Sequence, residues 1–153
     1  YQRDLRDYLS WLQGEHIDRL KREHDDLGLL LEALRTLARQ LPRQTPEQAR
    51  AELNSLVLLL EEKLVPHEQN DERELYPQLA QHLKGDDPLA AMSHTHREIF
   101  RLVKLLSRMN TDFAASSTAL ALEDIQAVLQ RLDTVLAMHF AQENELYHNL
   151  DRR

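Results

Sequence analysis

The sequence predicts an all-α protein, an up-down-up-down antiparallel four-helix bundle, on three observations. Leu, Ala, Glu, Gln and Arg dominate the 153 residues, while Gly numbers 3, Pro 5 and aromatics make up 5%; these common residues lose little freedom on entering a helix. Helix breakers cluster at "LPRQTPEQ" (41–48), "KGDDP" (84–88) and "NTDFAASST" (110–118). Between the breakers, apolar residues recur at steps of three and four, and long helices joined by short connections must run antiparallel to their neighbours.

Each helix carries its own inward stripe. The first reads Ile17, Leu20, His24, Leu27, Leu31, Leu34, Ala38, and the second Leu53, Leu56, Leu60, Leu64, His67, Asp71, Leu75. The third reads Leu89, Met92, His96, Ile99, Val103, Leu106, and the fourth Ile125, Val128, Leu132, Val135, His139, Glu143, Leu146. Thr45 before Pro46 is an N-cap with proline at the first helical position, Asp87 before Pro88 repeats the device, and Gly85 supplies a stop. Pro66 lacks a backbone donor and should bend the second helix beside His67.

Composition excludes several roles. Lys and Arg number 19 against 26 Asp and Glu, a net charge of −7 that repels a phosphate backbone, so no nucleic-acid partner is expected. With Cys 0 there is no disulfide framework and no thiolate, and any metal must be held by imidazole and oxygen. The longest apolar run, "LVLLL" at 56–60, is far short of a membrane span, and the start is no signal peptide, so the cytoplasm is the expected location. The chain begins at Tyr1 without Met, as a module of a longer polypeptide would. Residues 1–13 are then an N-terminal extension or linker and residues 14–153 the bundle. The sequence does not set an oligomeric state.

All four stripes aim one imidazole at the interior. His24 and His96 are 72 residues apart, and so are His67 and His139, so two helical hairpins repeat and place their histidines alike. One histidine on an apolar face is an ordinary core residue. Four at one level, joined by carboxylates, need protons or cations to offset the burial of charge. His139 and Glu143 stand four apart, about 40° around the helix, and can share a metal. The same step from His67 reaches Asp71, whereas aligning "RELY" (73–76) with "NELY" (144–147) pairs Glu72 with Glu143, a register that Pro66 or a π-bulge could produce, and both remain candidates. Glu68 is a secondary oxygen ligand, and His94, His16, His82 and His148 are read as solvated. Four histidines and two carboxylates are enough for two metals bridged by the carboxylates, and nitrogen with oxygen suits iron, then manganese or zinc. A ferritin-type site needs two Glu-x-x-His motifs, and only Glu145-x-x-His148 is present.

The order His24, His67-x-x-x-acid, His96, His139-x-x-x-Glu143, with "LYP" after the second histidine, resembles the hemerythrin-like (HHE cation-binding) domain family over about residues 15–150. The resemblance implies a four-helix bundle holding two iron ions, oxo- or hydroxo-bridged, that binds or responds to dioxygen. His24, His67, His96 and His139 would be terminal ligands, and Asp71 (or Glu72) with Glu143 would bridge. Oxygen-carrying members add a second histidine four residues along the third helix; here Met92 and Phe100 flank His96 at that spacing. That departure resembles the iron- and oxygen-sensing members, such as the animal ubiquitin-ligase subunit. The open coordination position could take water, peroxide, nitric oxide or a phenol, with Tyr76 and Tyr147 best placed. The expected function is a di-iron domain that binds or senses dioxygen, iron or redox state. The alternative is a di-iron enzyme acting on peroxide, nitric oxide or dioxygen, and a third reading is a metal-free helical interaction module with incidental histidines.

Overall fold

A computed structural model of the chain describes residues 15–76, 88–115 and 119–151. Helix α1 spans Glu15–Gln40 and ends in a 3-10 turn, Leu41–Arg43. Helix α2 runs through Pro46–Leu59, a π-turn at Leu60–Leu64, an α segment Val65–Asn70 and a second π-turn at Asp71–Leu75. Helices α3 (Pro88–Ala115) and α4 (Ala119–Asp151) complete the bundle, and no strand occurs among the described residues. Each helix packs on two others: α1 on α2 and α4, and α3 on α2 and α4. His24 and His96 lie in the first halves of their helices and His67 and His139 in the second halves, yet they meet at one level. Only alternating helix directions allow that.

The start of α2 follows from its sequence. Thr45 accepts a hydrogen bond from the Gln48 backbone N–H, the Gln48 side chain accepts from the Thr45 N–H, and Pro46 stands at N1, where no donor is lost. Asp87 and Gly85 lie outside the described residues.

The core divides along the bundle axis. Leu34, Leu41, Leu53, Leu60, Leu106, Leu129 and Leu132 are fully buried and fill the half nearest the α1–α2 connection. Each such leucine contributes about 1.5–3 kcal/mol by leaving water. Toward the other end the same inward positions carry His24, His67, His96 and His139 with Glu68, Asp71 and Glu143, all buried. In α4 the stripe differs from the expected one: Leu129 and Leu136 are buried, while Val128 and Val135 are only partly so. Both pairs stand one turn from Leu132 and His139, and the larger leucines take the centre.

Candidate metal centre

The two π-turns in α2 shape the site. Pro66 has no N–H to donate and its ring crowds the preceding turn, and the chain opens there into a wide turn closed by the Val65 N–H on the Leu60 carbonyl. The second wide turn is closed by the Tyr76 N–H on the Asp71 carbonyl. Each inserts an extra residue, about 100° of helix phase. The segment between them presents His67, Glu68 and Asp71 inward together, and the turn after it brings Tyr76 back to the core, where it is 4% exposed.

Three donor atoms converge on one side. Glu68 Oε2 lies 2.6 Å from His96 Nε2 and 2.9 Å from His139 Nε2, and the two imidazole nitrogens are 3.0 Å apart. On the other side His24 Nε2 lies 3.1 Å from Glu143 Oε2, His67 Nε2 3.8 Å from the same oxygen and 3.2 Å from Asp71 Oδ2. Glu143 belongs to both sides, since its Oε1 contacts His139 while its Oε2 faces His24 and His67. Glu68 also joins both, grouping with His96 and His139 and with His67 and Asp71.

Electrostatics hold this cluster in an uneasy balance. Burial pulls the His67 imidazole down, but hydrogen bonds to Asp71 and Glu143 overcome it and hold its pKa at about 11. His139 stands at about 9 for the same reasons, with Glu143 and Glu68 as partners. Burial pushes Asp71 up to about 7, against the pull of His67. Glu68 and Glu143 resist their own burial and stay below the usual carboxylate range, Glu68 because His139 and His96 bond to it and Glu143 because His139, His24 and His67 do. The Tyr76 phenol is pushed far up by burial and by the carboxylates around it, so it keeps its proton.

The donor set fits a metal ion. Glu68 Oε1 is buried without a hydrogen bond, a costly state for a carboxylate oxygen that a cation relieves. A tetrahedral ion with bonds of about 2.1 Å spaces its donors about 3.4 Å apart, close to the separations found here. Oxygen and imidazole nitrogen without sulfur suit iron, manganese or zinc.

Outside this ring, each imidazole's second nitrogen has its own surroundings. His67 Nδ1 lies 2.9 Å from Glu23 Oε2, and His24 Nδ1 3.0 Å from Asn144 Oδ1. His96 Nδ1 lies 3.3 Å from Glu72 Oε1, whose other oxygen accepts from Ser93. The Tyr76 hydroxyl lies 3.2 Å from His96 Nε2 with its ring stacked on the imidazole.

The structure thus brings together His24, His67, Asp71, His96, His139 and Glu143, and sets Glu72 at the rim, half-buried, on the outer side of His96. Asp71 rather than Glu72 faces the interior because the helix is regular from His67 to Asp71 and widens only afterwards. Glu68, given a secondary role from sequence, stands at the centre. Its signal was present: stepping four from Leu60 and Leu64 lands on Glu68, as stepping three from Leu64 lands on His67. His94 is exposed, His82 lies outside the described residues, and so do the side chains of His16, His148 and Tyr147.

Fold and site together define a class, a four-helix bundle whose inward-facing histidines and carboxylates are placed to hold metal. The sequence profile of the Hemerythrin HHE cation binding domain matches residues 15–150. The chain belongs to that family. No curated protein and no solved structure gives a significant match. Among the described residues no helix is long and apolar enough to cross a membrane.

Proposed function

We propose that this domain holds two iron ions and binds or senses dioxygen, iron supply or redox state. The observation that carries the reading is Glu143, whose two oxygens face imidazoles on opposite sides of the cluster, as a carboxylate shared by two cations would. His24 and His67 would serve one ion with Asp71, His96 and His139 the other, and Glu68 would join Glu143 as a shared ligand. The donor set also accepts manganese or zinc. Bound iron would supply redox chemistry and would take a small ligand such as dioxygen, peroxide or nitric oxide.

The protein's own residues set the conditions for that ligand. Phe100, half-buried, lies beside the His96 ring and Met92 is buried one turn before it, so the positions four residues either side of His96 are apolar where oxygen carriers have another imidazole. Tyr76 brings a protonated hydroxyl to the same imidazole. A phenol beside the cluster, able to hydrogen-bond a bound oxygen ligand, favours the second reading, an enzyme acting on peroxide, nitric oxide or dioxygen.

Metal analysis and an ultraviolet-visible spectrum of protein produced in iron-rich medium test both. About two irons per chain, with charge-transfer absorption lost in His67→Ala or His139→Ala, is the expected result. A reversible colour change with oxygen supports binding or sensing, and catalytic consumption of peroxide supports an enzyme. Protein that remains iron-free refutes both.

A further inference from the structure

Glu23 and His24 are neighbours in sequence but turn to different tasks. His24 points into the cluster, while Glu23, about 100° earlier around α1, reaches sideways to α2 and accepts a hydrogen bond from His67 Nδ1 at 2.9 Å. Asn144, next to Glu143, likewise leaves the cluster and offers its Oδ1 to His24 Nδ1 at 3.0 Å. The two contacts form a relay around the bundle, from α4 to α1 and from α1 to α2. His139 has no counterpart: its Nδ1 is buried without a hydrogen bond among the described residues.

An imidazole has two nitrogens, and the proton held by one decides which lone pair is free for a cation. In both rings the outer contact holds the Nδ1 proton, so the proton that a cation would displace is the one on Nε2, the atom that faces Glu143. We propose that Glu23 and Asn144 are positioning residues that orient His67 and His24 and fix their tautomers for cation binding. The inference rests on the reading of this cluster as a metal centre. Arg19, one turn earlier, lies 3.7 Å from Glu23 and steadies it.

The test compares Glu23→Gln and Glu23→Ala with the unaltered chain. Nitrogen-15 NMR of the metal-free protein reads the ring N–H protons, and zinc affinity is measured by competition with a chromophoric chelator. The unaltered chain should show a slowly exchanging His67 Nδ1–H. That signal should be lost in Glu23→Ala, with zinc affinity falling about 10- to 100-fold, and Glu23→Gln should restore orientation and most of the affinity. Because the Glu23 side chain is 43% exposed, metal-free melting temperatures should stay within about 3 °C of one another. A purely structural role would instead move the melting temperature and leave affinity alone. An unchanged affinity in Glu23→Ala, or a loss in Glu23→Gln as large as in Glu23→Ala, overturns the proposal. A protected Nδ1–H in a chain that takes up no zinc and no iron refutes the metal reading itself, and with it the positioning role.

Discussion

The Glu68 carboxylate on α2 meets the His139 imidazole on α4 at 2.9 Å, with both side chains fully buried. The same oxygen reaches His96 on α3, so one carboxylate joins three helices. Removing one member of a buried charged group leaves the others uncompensated, at about 3–5 kcal/mol. Glu68→Ala should therefore destabilise the metal-free protein by about 3 kcal/mol in denaturant titration and reduce metal content to one ion per chain or fewer. Glu68→Gln keeps the shape and a hydrogen bond, and should lose metal with a smaller cost to stability. Full metal content in both variants would remove Glu68 from the ligand set.

Asp71 and Glu72 give opposite expectations despite their adjacency. Asp71 is 3% exposed and faces His67, whereas Glu72 is half-buried and faces the outer nitrogen of His96. Asp71→Asn should weaken metal binding by at least about 100-fold if it removes a charged ligand, and Glu72→Gln by about tenfold or less, as an outer partner does. Chelator competition on the two variants separates them, and the reverse ranking would put Glu72 inside.

Most of the bundle was legible because helix periodicity and burial obey the same geometry. The four histidines and most of the inward positions follow from steps of three and four, and the Thr45 cap from a threonine before Pro46, while in α4 Leu129 and Leu136 take the places expected of Val128 and Val135. What escaped the sequence depended on departures from 3.6 residues per turn. A regular helix lets His67 and Asp71 face the core, and steps of four from Leu60 also reach Glu68, but whether Tyr76 returns to it depends on the wide turn at Asp71–Leu75. Proline announces a disturbance without stating its form. The outer contacts of Glu23 and Asn144 were also invisible, because they join residues 44 and 120 positions apart through side chains that periodicity counts as surface.

Stability of the metal-free protein should depend on pH in an unusual sense. His67 and His139 are raised to about 11 and about 9 in the folded state, above the ordinary histidine value of 6.5. Their contribution is therefore complete below about pH 6.5 and is lost as pH rises through the folded values. Asp71, raised to about 7 from 3.8, also favours the folded state on the acid side of its folded value. Glu68 and Glu143 are lowered, so their contribution is present above the ordinary carboxylate value of 4.5 and is lost as pH falls below it. The maximum should lie near about pH 5, with the melting temperature falling by more than about 5 °C between pH 7 and pH 9.5. Calorimetry across that range checks the sign, and a melting temperature that rises with pH would contradict the ion-paired cluster.

Metal should reverse that dependence. A cation requires imidazoles without a proton on the ligating nitrogen, so its affinity grows as pH rises, in the range where the metal-free protein weakens. An ion that binds only the folded chain stabilises it by about 2.7 kcal/mol at a free concentration 100 times its dissociation constant, and by about 4.1 kcal/mol at 1,000 times. Loading with zinc or ferrous iron at pH 8 should raise the melting temperature by roughly 5–15 °C, and a chelator should return it to the metal-free value. The rise should be larger at pH 8 than at pH 6. Leu132→Ala, in the apolar half of the core, should lower both melting temperatures by similar amounts and leave the difference between them intact, since it deletes packing worth about 2–5 kcal/mol without touching the cluster. A metal-induced rise that vanishes in Leu132→Ala would mean that the two halves of the bundle fold as one inseparable unit with the site.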